Sequence, residues 1–305
     1  MGAHHEADLA RAVAAAALQD LAAGLGLSPS RLVAVNGLAA ACRFAVSAAP
    51  SGIAVSAAAR QGLKVAVGAG PVVPVDSAGQ TQSADAPGHD YSALAFSAAN
   101  HETGLIDQAT GFTGFRVVDA TEWAGRVVEL PAADVLILRA SSWGGPASAC
   151  FVVLPQAPNL SDKERLMLSP EVSVVAAAAA AWSDLGGGEG INARGELHRQ
   201  WLDDFAAQVA ALPGVQPIVG SEQLPHLLAL QLETRSSEEL ARLLDARGIA
   251  VGSGSACDPT GGEPSAVLRA MGYAKADALR VSLPLTAKES DLEHLLEALT
   301  LLLKS

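Results

Sequence analysis

The residue best placed by type and surroundings to do chemistry is Cys257, at the end of the run Gly252-Ser-Gly-Ser-Ala-Cys257. A thiol set among glycines and serines belongs to a loop that can present it, and any cysteine chemistry there is single-thiol chemistry. Asp258 beside it disfavours the thiolate and raises its pKa. Cys42 and Cys150 sit in apolar stretches and read as small packing residues. Three widely separated cysteines without a CxxC pair argue against a disulfide framework and against a structural zinc site. Ser141 and Ser142 offer adjacent hydroxyls, but neither a GxSxG turn nor an assignable His-Asp pair accompanies them as a serine nucleophile requires. His101 has no identifiable partner and reads as a loop hydrogen-bonder.

Regular elements must hold these residues, and the hydrophobic periodicity supplies candidates. Residues 6–23 are alanine-rich with Leu9, Val13, Leu18 and Leu21 near helical spacing, and Gly24, Gly26 and Pro29 end that helix before an apolar strand at 32–35. Short apolar runs at 53–55, 65–67, 94–96, 115–118, 135–138 and 151–154 read as buried strands, with partly helical pieces between them, as in a sheet covered by helices. Breaks at 155–162 and 186–190 flank an alanine-rich helix around 176–181, and the second marks a domain boundary. Beyond it, 228–232 alternates as a strand, and Ser236 to Glu239 forms a capping box for a helix that Gly248 stops. A strand at 249–251, a short helix from 263 to 271, a strand at 279–283 and a leucine-rich last helix capped at 286–289 complete an α+β unit.

Composition narrows the function classes. With 305 residues, half of them hydrophobic, the chain can bury a sizeable core. Its 20 basic and 32 acidic residues give a net charge of -12, with no basic cluster, so nucleic acid is not an expected partner. The longest apolar stretch, 174–182, is far short of the roughly 20 residues that cross a bilayer. No membrane association is expected, and the opening residues lack the features of a secretory signal, which implies a cytoplasmic protein.

Three ordered segments carry a family resemblance: Gly252 to Cys257, then Glu263-Pro-Ser-Ala-Val-Leu-Arg-Ala-Met-Gly272, then Leu279-Arg280-Val281-Ser282. Together they resemble the C-terminal signature of NifS/IscS-type cysteine desulfurases, in the class V aminotransferase superfamily. Upstream, Asn100-His-Glu-Thr-Gly104 resembles the family's asparagine loop, and Val118-Asp119-Ala-Thr-Glu-Trp-Ala-Gly125 its strand-end aspartate motif. Val135-Leu-Ile-Leu-Arg-Ala-Ser-Ser-Trp-Gly-Gly-Pro146 falls where relatives carry the cofactor lysine before a Gly-Pro turn. The resemblance implies an α/β fold of the type I pyridoxal-phosphate transferases. A large, mostly parallel sheet domain is expected over residues 1–185, and a small C-terminal α+β domain carrying the cysteine loop over 186–305.

It also implies roles. Relatives pair a carboxylate with the pyridinium nitrogen where Asp119 stands, contact the ring substituent where Asn100 stands, bind the substrate carboxylate through a bidentate fork at Arg280, and carry a persulfide at Cys257. Read without the family, Asp119 is a strand-end cap and Arg280 a partner for a neighbouring carboxylate. Ser141 and Ser142 align with the lysine segment, with Ser142 at the lysine position, and a hydroxyl cannot form an imine. None of Lys64, Lys163, Lys275, Lys288 and Lys304 lies at a strand end before a Gly-Pro turn. The phosphate turn keeps Gly37, but Leu38 and Ala39 replace its small and hydroxyl-bearing residues. Glu122 replaces a glutamine that contacts the cofactor hydroxyl. No histidine occurs from residue 6 to 88 to stack on the ring, and a motif that relatives contribute across their dimer is reduced to Ser169-Pro170.

Pyridoxal phosphate is thus the family's cofactor, without covalent binding expected here. The leading expectation is a catalytically degenerate desulfurase homologue, a partner in sulfur metabolism that forms a homodimer or a heterodimer with an active relative. Two others stay open: a pyridoxal-independent sulfur carrier exchanging persulfide at Cys257 with a donor or acceptor protein, and an enzyme holding pyridoxal or pyridoxamine phosphate non-covalently at Asp119.

Overall fold

A computed structural model describes residues 2–82, 91–253 and 265–304. Helix α1 (Gly2–Gly24) leads into strand β1 (Leu32–Asn36), followed by α2 (Leu38–Ser47), β2 (Ile53–Ser56), α3 (Gln61–Val67) and β3 (Val72–Val73). Strands β4 (Ala93–Ser97), β5 (Phe115–Asp119), β6 (Val135–Arg139) and β7 (Ala149–Val153) complete a 7-stranded sheet of order β1-β7-β6-β5-β4-β2-β3. Pairs among β2 to β6 are parallel, and β7 runs antiparallel to both of its neighbours.

Alternation along the strands divides the core into two layers. Val55, Ala95, Val117, Ile137 and Val152 point to one face, where Ala41, Cys42 and Ala45 of α2 and Leu63 of α3 cover them. Leu94, Phe96, Val118, Leu138 and Phe151 point to the other, under α1 and the alanine-rich α5 (Val172–Ser183). Alanines let α1 and α5 approach closely, and at Gly24 an added methyl would stand 2.1 Å from the Trp182 indole, so only glycine fits there. Trp182 in turn meets Trp143 edge to face at 5.4 Å.

Between these elements, α4 (Asp162–Leu168) starts from a Ser161–Glu164 capping box. Helix α6 (Gly187–Val209) passes from one core to the next: Ile191 packs with the large sheet, whereas Leu202, Phe205 and Val209 join a second cluster. That cluster belongs to a 4-stranded antiparallel sheet of β8 (Val215–Ile218), β9 (Leu227–Leu232), β10 (Gly252–Ser253) and β11 (Ala278–Ser282), in the order β10-β11-β9-β8. Helices α7 (Ser237–Asp245) and α9 (Glu289–Lys304) cover one of its faces with α6. On the other, α8 (Ala266–Ala270) and Met271 pack with Ala58, Val75 and Leu105, which ties the small sheet to loops of the large one.

The structure corrects several element expectations. Residues 65–67 are the last turn of α3 rather than a strand, because a three-residue apolar run cannot by itself distinguish a helix face from a buried strand. Pairing expected at 249–251 occurs at β10 instead. The connection from β4 to β5 crosses between parallel neighbours without a helix, where a helix is the usual cover. It leaves a groove of about 580 Å³ lined by Phe96, Trp123, Leu130 and Glu222. Phe96 faces away from Ser97, so the groove opens on the side of the sheet opposite the Asp119 side chain. Among the described residues, no helix is long and apolar enough to cross a membrane.

Candidate functional site

The carboxyl ends of parallel strands are where an open α/β sheet presents side chains to a ligand. Asp119, the last residue of β5, sits there beside Ser97 of β4, with its side chain 2% exposed. One carboxylate oxygen accepts the Thr121 amide at 3.0 Å. The other faces Arg60, whose Nε lies 3.3 Å away, while Nη2 of the same guanidinium donates to Glu122 at 2.6 Å. Arg60 is the residue that opens α3, and its own amide donates to the Ser97 hydroxyl at 3.3 Å, so the backbone that carries the guanidinium is tied to the neighbouring strand end. Burial works against the Arg60 charge, and Asp119 and Glu122 more than offset it, leaving the pKa raised. In sequence Arg60 is marked only as a lone arginine in the alanine-rich 57–60 segment, too weak a signal to single it out.

The other sequence-derived residues lie outside this ion-pair cluster and are held by contacts of their own. Asn100 is buried and fully engaged: its amide nitrogen donates to the Ala58 carbonyl at 3.3 Å, and its oxygen accepts from the amides of Glu102 and Thr103 at 2.9 and 3.1 Å. Ser142 is buried in the turn that follows β6, with its hydroxyl 2.8 Å from both the Ala124 and Arg139 carbonyls. Ser141, one residue earlier, is exposed. Gly125 beside this turn has φ 77°, and an added methyl would lie 2.5 Å from Trp143 Cβ. Gly37 precedes α2 with φ 85°, and nothing lies within 4 Å of a methyl built there, so backbone conformation rather than space requires glycine.

Arg280, on β11, reaches across from the small sheet and donates to the His101 carbonyl at 3.2 Å, while its Nε is buried without a partner among the described residues. Its guanidinium covers Gly252, where a methyl would approach Nε to 3.0 Å. His101 leaves Nδ1 without a partner among the described residues, and its pKa is lowered well below the ordinary value by burial and by Arg60, Arg280 and Lys64, so the imidazole is neutral. Next to it, Glu102 accepts the Ser265 hydroxyl at 2.5 Å. Burial raises the Glu102 pKa, with Ser265, Arg280 and Lys64 acting in the opposite sense. Lys64 donates to the Ala57 carbonyl at 2.6 Å, and burial lowers its pKa. The roles of Glu102, Ser265 and Lys64 carry no signal in the sequence, since their partners are distant segments or backbone.

Cys257 lies outside the described residues. Burial pushes the thiols of Cys42 and Cys150 up to about 12 and about 11, which keeps both neutral. Among the described residues, no group of three or more His, Cys, Asp or Glu side chains could hold a metal ion.

Comparison with known proteins fits this architecture. The family model for aminotransferase class-V matches residues 169–295. A NifS-like protein superposes with a TM-score of 0.82 at 19% identity, over 99% of this chain and 90% of that one. The NifS-like protein from Rickettsia africae gives 0.80 at 17%, covering 100% and 91%. The apo cysteine desulfurase from Thermococcus onnurineus gives 0.78 at 15%, covering 99% and 86%. No curated protein matches the sequence significantly. The chain therefore carries an aminotransferase class-V match over residues 169–295 and, along its length, has the fold of the NifS-like proteins.

Proposed function

We propose that this chain is a class V aminotransferase-fold protein that works without a Schiff-base cofactor, as a non-catalytic partner in sulfur metabolism that dimerises with itself or with an active relative. The observation that carries this reading is Ser142. At the position where the resemblance places the imine-forming lysine, the chain has a buried hydroxyl that is committed to the Ala124 and Arg139 carbonyls. The residues present do not fit pyridoxal phosphate. Lys64 directs its amine to the Ala57 carbonyl, Asn100 divides its side chain between the Ala58 carbonyl and its own loop, and Asp119 already faces a cation. In this reading residues 1–185 form the large domain and 186–305 the small one, and Asp119, Glu122 and Gly37 are remnants of a cofactor site.

The test is an absorbance titration of the purified protein with pyridoxal phosphate, followed by borohydride and by an assay for sulfide release from cysteine. The expected outcome is no saturable aldimine band, no label fixed to the chain and no sulfide. A saturable band that borohydride fixes to one lysine would overturn the proposal.

A further inference from the structure

We infer that Asp119 and Glu122 form a receptor for a planar nitrogen cation and that Arg60 of the same chain is its resident ligand. The inference rests on reading the site as cofactor-free, and it adds what fills the site instead. Three observations carry it. The guanidinium divides its donors, Nε toward Asp119 at 3.3 Å and Nη2 to Glu122 at 2.6 Å, so one planar cation spans two carboxylates. That plane is hard to displace, because Arg60 is 18% exposed and Asp119 only 2%. The chain leading into Arg60 is pinned as well: the Arg60 amide donates to Ser97, and Asn100 donates to the Ala58 carbonyl two residues earlier.

A guanidinium suits this position better than an ammonium because it stays charged when buried and presents donors in a fixed fork. A free planar cation that approached Asp119 would have to displace an intramolecular ligand whose effective concentration is set by a short tether. The site is therefore closed to small-molecule cations for as long as Arg60 is present. Removing the guanidinium leaves the two carboxylates it spans without their counter-charge, and a free guanidinium is the ligand they would then take.

The experiment compares wild type with Arg60→Ala, using methylguanidinium chloride as the probe and sodium chloride at equal ionic strength as the control. The melting temperature of Arg60→Ala should fall by about 5–10 °C. Methylguanidinium should restore much of that loss with a saturable dose response, whereas wild type should respond no more to it than to salt. Adding Asp119→Asn to Arg60→Ala should abolish the rescue. A folded Arg60→Ala protein that responds to methylguanidinium no better than to salt would overturn the inference.

Should Arg60→Ala not fold, nitrogen-labelled arginine in the wild-type protein decides the matter. The Arg60 guanidinium should show slow rotation about Nε–Cζ that becomes fast in Glu122→Gln, a tolerable change because Glu122 is 31% exposed. Fast rotation of the Arg60 guanidinium in wild type would refute a held ligand. The pyridoxal titration is a separate readout: an imine on wild type would sink the cofactor-free reading, while the methylguanidinium response judges Arg60 itself.

Discussion

The Arg126 side chain holds the backbone of Ser142: its Nε donates to the Ser142 carbonyl at 2.9 Å, and Nη1 of the same group donates to the Leu283 carbonyl at 3.0 Å. One guanidinium thus fastens the turn after β6 in the large sheet to the segment that leaves β11 in the small one. Hydrogen bonds from a charged donor contribute about 1.5–3 kcal/mol each, and an acceptor stranded by the loss of its donor adds a desolvation cost. Arg126→Met should therefore lower unfolding stability by about 3–5 kcal/mol, as measured by urea denaturation followed through tryptophan fluorescence. Arg126→Lys should recover less than half, because an ammonium lacks the fork that reaches both carbonyls. A change below about 1 kcal/mol in Arg126→Met would show that the two carbonyls are satisfied without it.

Ser142 itself tests whether the position at the end of β6 is chemical or structural. Its hydroxyl has one proton to share between the Ala124 and Arg139 carbonyls, so removing it weakens two backbone contacts at once. Ser142→Ala should cost about 1–2 kcal/mol in urea denaturation and leave the response to pyridoxal phosphate as weak as in wild type. Ser142→Lys asks for more: it buries an amine beside packed Trp143 and should cost more than the alanine variant without producing a borohydride-stable label, since Arg60 still holds Asp119. A stable label on Ser142→Lys alone would mean that the rest of the site remains able to accept the cofactor.

The ordering of elements was legible in sequence wherever local pattern and tertiary environment agree. Buried strands such as β5 and β6 announce themselves as β-branched runs, and the α6 region begins at a glycine cluster. Residues 65–67 misled because their neighbours, Leu63 in particular, pack by helical spacing onto β2 and β4. The two-residue β3 is too short to leave a pattern at all. For the site, Asp119, Glu122 and Asn100 could be named from their motifs, but what engages them could not. Arg60 stands 59 and 62 residues from its two carboxylates, and only the parallel register of β2, β4 and β5 brings them together. The Glu102 contact with Ser265 spans 163 residues and two sheets, a distance over which periodicity carries no information.

His226 makes stability depend on pH with a definite sign. It is buried at the join between the sheets, with Nδ1 lacking a partner among the described residues, and burial together with Arg126 and His198 lowers its pKa well below the ordinary value. The groups that bear on its charge are therefore Arg126 and a second imidazole that repels it when protonated, and His198 too is lowered, to about 4, by burial first and then by Arg126 and Arg194. In the unfolded chain a histidine titrates near 6.5, so below that pH the unfolded state binds a proton that the folded state refuses. The folded state consequently loses stability as pH falls below about 6.5, at up to about 1.4 kcal/mol per pH unit for this one residue, until pH reaches its folded pKa. Glu102 and Asp107, whose pKa values burial raises, act in the opposite sense by taking up protons when folded, so the net slope of wild type is not the test. The difference between wild type and His226→Leu is. Urea denaturation at several pH values between 7 and 5 should give a slope that is flatter in His226→Leu by about 1 kcal/mol per pH unit. Parallel slopes would mean that His226 takes up its proton equally well in the folded chain.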